Sequence, residues 1–217
     1  QYSSIYSNFT FMRKIILILF SLGISIMLYA NTKTEKIFES KNNELQDIIL
    51  NKPNLKRGIP IMQALEKRQS TRQFSSKELS LQDISDLLWA ANGINRPESD
   101  KRTAPSAMNH QDIKVYVCTA KGSYLYNHQK HTLVPISSGD SRPAAAPVCL
   151  ILVSDTNKEW GAIDAGIVSQ NISLFCSGTG LATYPRGSMD KDTLYKALKL
   201  TGQQAIMLCH PVGYFVQ

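Results

Sequence analysis

The sequence predicts a mixed fold of helices and strands over residues 58–217, and three features carry the prediction. Residues 148–153 (VCLILV) form an unbroken apolar run, the pattern of a central strand buried on both faces. Residues 113–118 (IKVYVC) are rich in β-branched side chains and read as another strand. Residues 160–176 hold a single charge, Asp164, over a length that only a helix uses, which places a long helix in the core or at a subunit interface.

The remaining elements follow in order. Met12-Arg13-Lys14 precedes an apolar run over residues 15–30, the pattern of an export signal with a basic start and a hydrophobic core. The run is near the lower length limit for a membrane span, so an uncleaved anchor and a buried N-terminal element are the alternatives. Cleavage is expected near Ala30, although Leu28 fits the small-x-small rule poorly. Residues 1–11 carry no charge and are expected to be extra sequence ahead of a start at Met12. Residues 31–57 are rich in Lys, Asn and Glu and are expected to be a polar leader, with a short helix over residues 44–50.

Pro60 opens a helix to about Lys67, because its missing N–H costs nothing at a helix start. Ile61, Met62 and Leu65 give that helix an apolar side. Residues 70–74 read as loop. Ser80 is an N-cap with Asp83 three residues on, and Leu81, Ile84, Leu87, Leu88 and Ala91 set the helical period that follows. Asn92-Gly93 stops the helix. Residues 95–101 are a polar loop around Pro97. Residues 122–126 read as a turn and strand, residues 128–133 lead into a further short element, and residues 137–147 are a Gly-, Ser- and Pro-rich connection. Gly178, Gly180 and Pro185 end the long helix. Residues 190–198 form another helix, and residues 204–209 a last apolar strand before Pro211-Val212-Gly213-Tyr214.

Composition bounds the function. All 17 acidic residues and all but two of the 24 basic ones follow Ala30, leaving a mild basic excess. That excess favours anionic ligands, but no basic stripe interleaves with aromatic residues, so nucleic acid is not expected. Cys118, Cys149, Cys176 and Cys209 form no CxxC pair and sit in apolar runs, which reads as buried free thiols. His128 and His131 lack a further ligand, and no metal site is expected. Tyr124 and Tyr126 share one strand face and read as packing. There is no P-loop, no G-x-G-x-x-G fingerprint and no nucleophile elbow.

Two segments carry the chemistry. In an extended chain Arg68, Ser70 and Arg72 point the same way and can converge on one phosphate, since guanidinium groups match phosphate oxygens with paired donors. A solvated charged loop is the plain alternative. In the second segment, Pro105, Ser106 and Ala107 are small and restricted, and let backbone approach a flat ring. Asn109 offers both a donor and an acceptor to the mixed edge of such a ring, and Arg102 is a further possible phosphate or ring contact. An ordinary polar loop before a strand is the alternative here.

Residues 68–74 (RQSTRQF), residues 104–111 (APSAMNHQ), residues 169–174 (SQNISL), residues 178–182 (GTGLA) and Pro211-Val212-Gly213-Tyr214 together resemble the nitroreductase-like FMN flavoproteins, in the expected order. Residues 87–96 (LLWAANGINR) are similar to a small subgroup that includes the dehydrogenase domains of thiazole- and oxazole-forming systems. The resemblance implies an α+β nitroreductase-like fold, a mostly antiparallel sheet flanked by helices, in an interlocked homodimer with shared FMN sites. It assigns Arg68, Gln69, Ser70 and Arg72 to one subunit's phosphate and ring-edge contacts, and Pro105, Ser106, Ala107 and Asn109 to flavin contacts donated by the other. Gly180 and Leu181 fall at the turn supporting the flavin, and Arg102 and Arg186 are further phosphate candidates.

Three departures stand out. The chain ends without the family's basic pair, the turn reads Gly180-Leu181-Ala182 where Gly-Leu-Gly is common, and the long substrate-pocket insertion is short or missing. The implied function is an FMN-dependent oxidoreductase passing hydride between a reduced donor, NAD(P)H or another, and a small planar acceptor such as a nitro compound or quinone. No catalytic side chain is required, because the chemistry is the cofactor's. A flavin-binding protein without turnover and a peptide-heterocycle dehydrogenase are the alternatives. If residues 1–30 are an export signal, the protein is periplasmic and not stably inserted in the membrane once cleaved. If not, it is cytoplasmic.

Overall fold

The computed structural model describes residues 45–156 and 160–216, with Met27 alone before them. The expected export signal, the upstream residues and most of the leader lie outside the described residues. Among the described residues no helix is long and apolar enough to cross a membrane.

Seven strands form a wholly antiparallel sheet. They are β1 (Ile48–Ile49), β4 (Ile113–Thr119), β5 (Gly122–Asn127), β6 (Thr132–Ser138), β7 (Val148–Ser154), β8 (Leu181–Thr183) and β9 (Ala205–Tyr214), in the order β1-β6-β5-β4-β7-β9-β8. Strands β2 (Ile94–Arg96) and β3 (Lys101–Arg102) form a separate ribbon. The helices are α1 (Ile61–Lys67), α2 (Leu81–Asn92), α3 (Gly161–Thr179) and α4 (Lys191–Ala197).

The apolar run of β7 has the position its composition predicts, between β4 and β9 with every residue buried. Its side chains alternate between two cores. Val148, Leu150 and Leu152 join Leu87, Leu88, Val168 and Ile172 from α2 and α3. Cys149, Ile151 and Val153 join Leu194 and Leu198 at α4. The fold is therefore α+β in three layers, with two helices on one face of the sheet and one on the other. All four cysteines are free and buried.

Helix α2 starts where Ser80 and Asp83 predict. The Ser80 side chain accepts the Asp83 N–H, and Asp83 accepts the Ser80 N–H, a complete capping box. Helix α3 ends on Gly180, whose φ of 74° is the left-handed geometry of a helix cap.

Four expectations differ from the structure. Of the helix expected over residues 44–50, the described residues 45–50 are not helical: Ile48–Ile49 pair with Leu133 and Thr132 as edge strand β1, because β6 offers a free edge. Ile61, Met62 and Leu65 do not face the core. Ala64 does, pinned to α3 by the Ser177 hydroxyl, and the larger apolar side chains are left exposed. The loop over residues 95–101 is the β2–β3 ribbon, closed by a short 3-10 turn at Pro97–Ser99. Residues 181–183 are strand β8, whose pairing with β9 supplies what the short glycine-flanked run lacks by itself.

Candidate functional site

The two segments read from the sequence lie at opposite ends of α3. The Arg68 segment leaves α1 and runs extended beside β8, where the Thr71 N–H donates to the Thr183 carbonyl at 3.0 Å. Thr71 is half-buried while Arg68, Gln69, Ser70 and Arg72 are exposed. Arg68 and Gln69 line an open cleft of about 820 Å³ with Arg57, Gly58, Lys67, Gly178, Gly180 and Phe215. This volume falls in the range of small-ligand sites. Lys67 and Arg68 outweigh Glu66 along this cleft, and Arg57 is already balanced by Asp83 and Asp86. The complementary ligand is an anion. Arg72 instead stacks over the Tyr184 ring, its guanidinium carbon 5.0 Å from the centroid.

Backbone geometry shapes the cleft wall. The Ile59 N–H donates to the Gly178 carbonyl at 3.1 Å. Gly58 adopts φ of +100°, and a Cβ there would lie 3.3 Å from that carbonyl oxygen. Only glycine takes this conformation without strain.

The second segment adjoins the start of α3. Asp164, 2% exposed in its first turn, accepts the Ala107 N–H with both carboxylate oxygens at 3.0 and 3.2 Å. The Ser106 hydroxyl accepts the Gln111 N–H at 2.9 Å, and Asn109 Oδ1 accepts from the Gln111 amide at 3.3 Å. Met108, Asn109 and Gln111 all have positive φ, of 48°, 57° and 52°. Three non-glycine residues in that region within four positions is a strained loop held by its surroundings, a pattern that concentrates at binding sites. Pro105 and Asn109 are exposed, and Ser106 and Ala107 half-buried. Asn109 is exposed, and its amide N–H groups have no acceptor among the described residues.

Arg102 and Arg186 stand apart from both segments' exposed side chains. Arg102, in β3 itself, is 7% exposed, with its guanidinium 3.0 Å from His128 Nε2 and 3.4 Å from the Ile113 carbonyl. Burial pushes its pKa down. Arg186 donates to the Pro143 carbonyl at 2.9 Å and to the Ser188 carbonyl, tying two loops together. Neither lines the Arg68 cleft. Gly180 does, whereas the Leu181 side chain is in the core and only its backbone is available there. Sequence reading missed Arg57, Gly58 and Lys67. The adjacent pairs Arg57-Gly58 and Lys67-Arg68, flanking a proline-started helix, were the available signal.

Asp164 and Thr179 are fifteen residues apart on one helix, so the segments are separated by roughly 22 Å at 1.5 Å per residue. Within one chain they cannot grip the same ring. On its outer side α3 exposes Ala162, Ile163, Gly166 and Gln170, and α1, tied to α3 at Ser177, exposes Ile61, Met62 and Leu65.

The nitroreductase family model matches residues 65–214, which includes both segments and the whole of the sheet except β1. A protein of Methanocaldococcus jannaschii named "putative nitroreductase" is 27% identical, with 71% of this chain and 91% of the relative covered. The crystal structure of a "putative nitroreductase" from Ralstonia eutropha JMP134 superposes with a TM-score of 0.75 at 30% identity, covering 81% of this chain and 91% of that one. The FMN-bound nitroreductase of Bacteroides fragilis shares the fold, with a TM-score of 0.51 at 14% identity over 72% of this chain and 88% of that one. With the fold, the order of its motifs and the extent of the match in agreement, the chain belongs to the nitroreductase family.

Proposed function

We propose that the protein is an FMN-dependent oxidoreductase that works as a homodimer, with each flavin held between the Arg68 segment of one copy and the 105–109 loop of the other. One observation carries the reading. The two segments sit at opposite ends of α3, and Ile163 of α3 together with Ile61, Met62 and Leu65 of α1 are left exposed among the described residues. A second copy packed antiparallel along these side chains would bring each loop to the other's cleft, the closed two-fold arrangement common to homodimers.

The residues fit the cofactor. Lys67 and Arg68 supply the charge that a phosphate monoester needs. The backbone at Gly180, with nothing within 4 Å of where a Cβ would stand, admits close approach, and the exposed Asn109 amide suits a ring edge with acceptors. The bound flavin would supply hydride chemistry. The chain's part is to hold the ring, neutralise its phosphate and exclude water along the dimer seam. The acceptor is a small planar organic molecule such as a quinone or nitro compound. From the pattern over residues 1–30 we further propose that the chain is exported, in which case a donor other than NAD(P)H serves it in that compartment.

A mixing experiment tests the shared site. Arg68→Ala/Arg72→Ala and Asn109→Ala are each expected to weaken FMN binding about 10-fold or more, the usual effect of losing hydrogen bonds to a charged or ring partner. Co-refolding equal amounts of the two variants is expected to restore wild-type affinity to about a quarter of the sites. Half the dimers are then mixed, and each mixed two-fold dimer carries one intact site. If each chain built its own site, mixing would restore none.

A further inference from the structure

We propose that a second cleft, open to solvent between the α2 side of the sheet and the start of α2, binds a small amphiphile with a carboxylate head, independently of the flavin. The cavity holds about 300 Å³. Its floor is apolar, formed by Leu79 and Ile84 from the α2 side and by Val117, Leu133 and Val148 from the three strands β4, β6 and β7, and exposed Ser76, Glu78 and Lys121 border it. It shares no lining residue with the Arg68 cleft or with the groove beside α3.

Its volume is that of a small-ligand site, with an apolar floor and polar groups around it.

Tyr124 supplies the polar end. It lines the cavity and is 4% exposed, yet its hydroxyl has no hydrogen-bond partner among the described residues. It is also not among the polar atoms sealed from solvent, so the space it reaches is the cavity. Buried tyrosine hydroxyls normally find a partner. Tyr126, two residues along the same strand and on the same face, does so, at 2.9 Å from His131 Nδ1. Burial raises the Tyr124 pKa and keeps the hydroxyl a donor.

The mouth selects the charge. Lys121 and Arg142 stand there against one acid, Glu78. Arg142 is committed to Asp140 and to the Ala146 carbonyl, at 2.6 and 2.9 Å. Lys121 makes no ion pair among the described residues. An apolar body of about ten heavy atoms ending in a carboxylate satisfies the walls, the Tyr124 donor and the Lys121 cation together. Medium-chain fatty acids and small aromatic acids are the class.

Calorimetric titration of the full chain with sodium octanoate tests this. Saturable binding at one site per chain is expected. Tyr124→Phe, which removes only the hydroxyl, is expected to weaken it up to about 10-fold, the range of one hydrogen bond. Lys121→Gln is expected to weaken it severalfold, and Leu81→Trp, at a partly exposed lining position, to abolish it. The Arg68→Ala/Arg72→Ala variant should bind octanoate as the wild type does, which separates this site from the flavin reading. No saturable binding at millimolar octanoate, or binding unchanged in both Tyr124→Phe and Leu81→Trp, would overturn the proposal.

Discussion

Replacing Asp83 with alanine is expected to destabilise the domain by about 2–3 kcal/mol, the combined loss of the capping box and of charge-assisted hydrogen bonds, with Arg57 left to Asp86 alone. Asp83 is where three distant parts of the chain meet. Its carboxylate accepts from Arg57, from the Tyr214 hydroxyl and from the Ser80 hydroxyl at 2.6 Å, and it completes the α2 capping box. Arg57 also reaches Asp86 at 3.1 Å, so its guanidinium bridges two carboxylates of one helix. The Asp83 side chain is 9% exposed and that of Arg57 21%, so solvent screens the pair little.

The direction of the Asp83 pKa agrees. Burial alone would raise it, but hydrogen bonds from Ser80, Tyr214 and Arg57 outweigh burial and hold the carboxyl below its ordinary value. A depressed carboxyl contributes stability that is complete above its unfolded pKa and is lost as pH falls through the folded one. The measurement is a urea titration near neutral pH, with a lower midpoint at unchanged slope as the expected result. Because Arg57 lines the cleft, the same variant should also weaken FMN binding. A midpoint shift under 1 kcal/mol would show that the network is not a structural tie.

Acidification should destabilise the protein before its carboxylates titrate. His210 is fully buried on β9. Its Nε2 lies 2.7 Å from the Ser169 hydroxyl and its Nδ1 3.2 Å from the Thr183 hydroxyl. Thr183 donates its own hydrogen to the Pro211 carbonyl at 2.9 Å, so Nδ1 carries the imidazole proton and Nε2 accepts from Ser169. That ring is satisfied only when neutral. Burial drives its pKa down to about 3.

The unfolded chain takes up a proton near pH 6.5 and the folded chain does not, so stability is complete above that pH and declines below it. The decline is about 1.4 kcal/mol per pH unit from this histidine until about pH 3. His128 acts in the same sense. Its pKa is lowered to about 4 by burial and by the neighbouring Arg102. Urea titrations between pH 8 and 5 should show a plateau above pH 7 and a steep fall below 6.5. Flat stability down to pH 5 would mean that His210 does not stay neutral in the fold.

Much of this was legible in the sequence where a local pattern determines the outcome. The run at residues 148–153 required burial on both faces, and β7 has it. Ser80 and Asp83 specified a helix start through their own side chains. Other features depend on partners far along the chain. Ile48–Ile49 is a strand only because β6 stands beside it, and β8 only because β9 does. Arg57 gains its role from Asp83 and Asp86, about thirty residues on, and no spacing rule connects them. Arg102, read as a ligand contact from its loop, is buried against His128 and the Ile113 carbonyl. The exposed side chains of Ile61, Met62 and Leu65 have a physical reason only once α1 is seen to face outward beside α3.

The first experiment is the visible absorption spectrum of the full chain after incubation with FMN and gel filtration, repeated anaerobically with NADH and then NADPH. The expected result is flavin retained at one per chain in a dimer-sized species, with its visible bands bleached by a hydride donor. Colourless protein that takes up no FMN would contradict the flavoprotein reading outright. Flavin retained by a monomer would contradict the site shared between two copies.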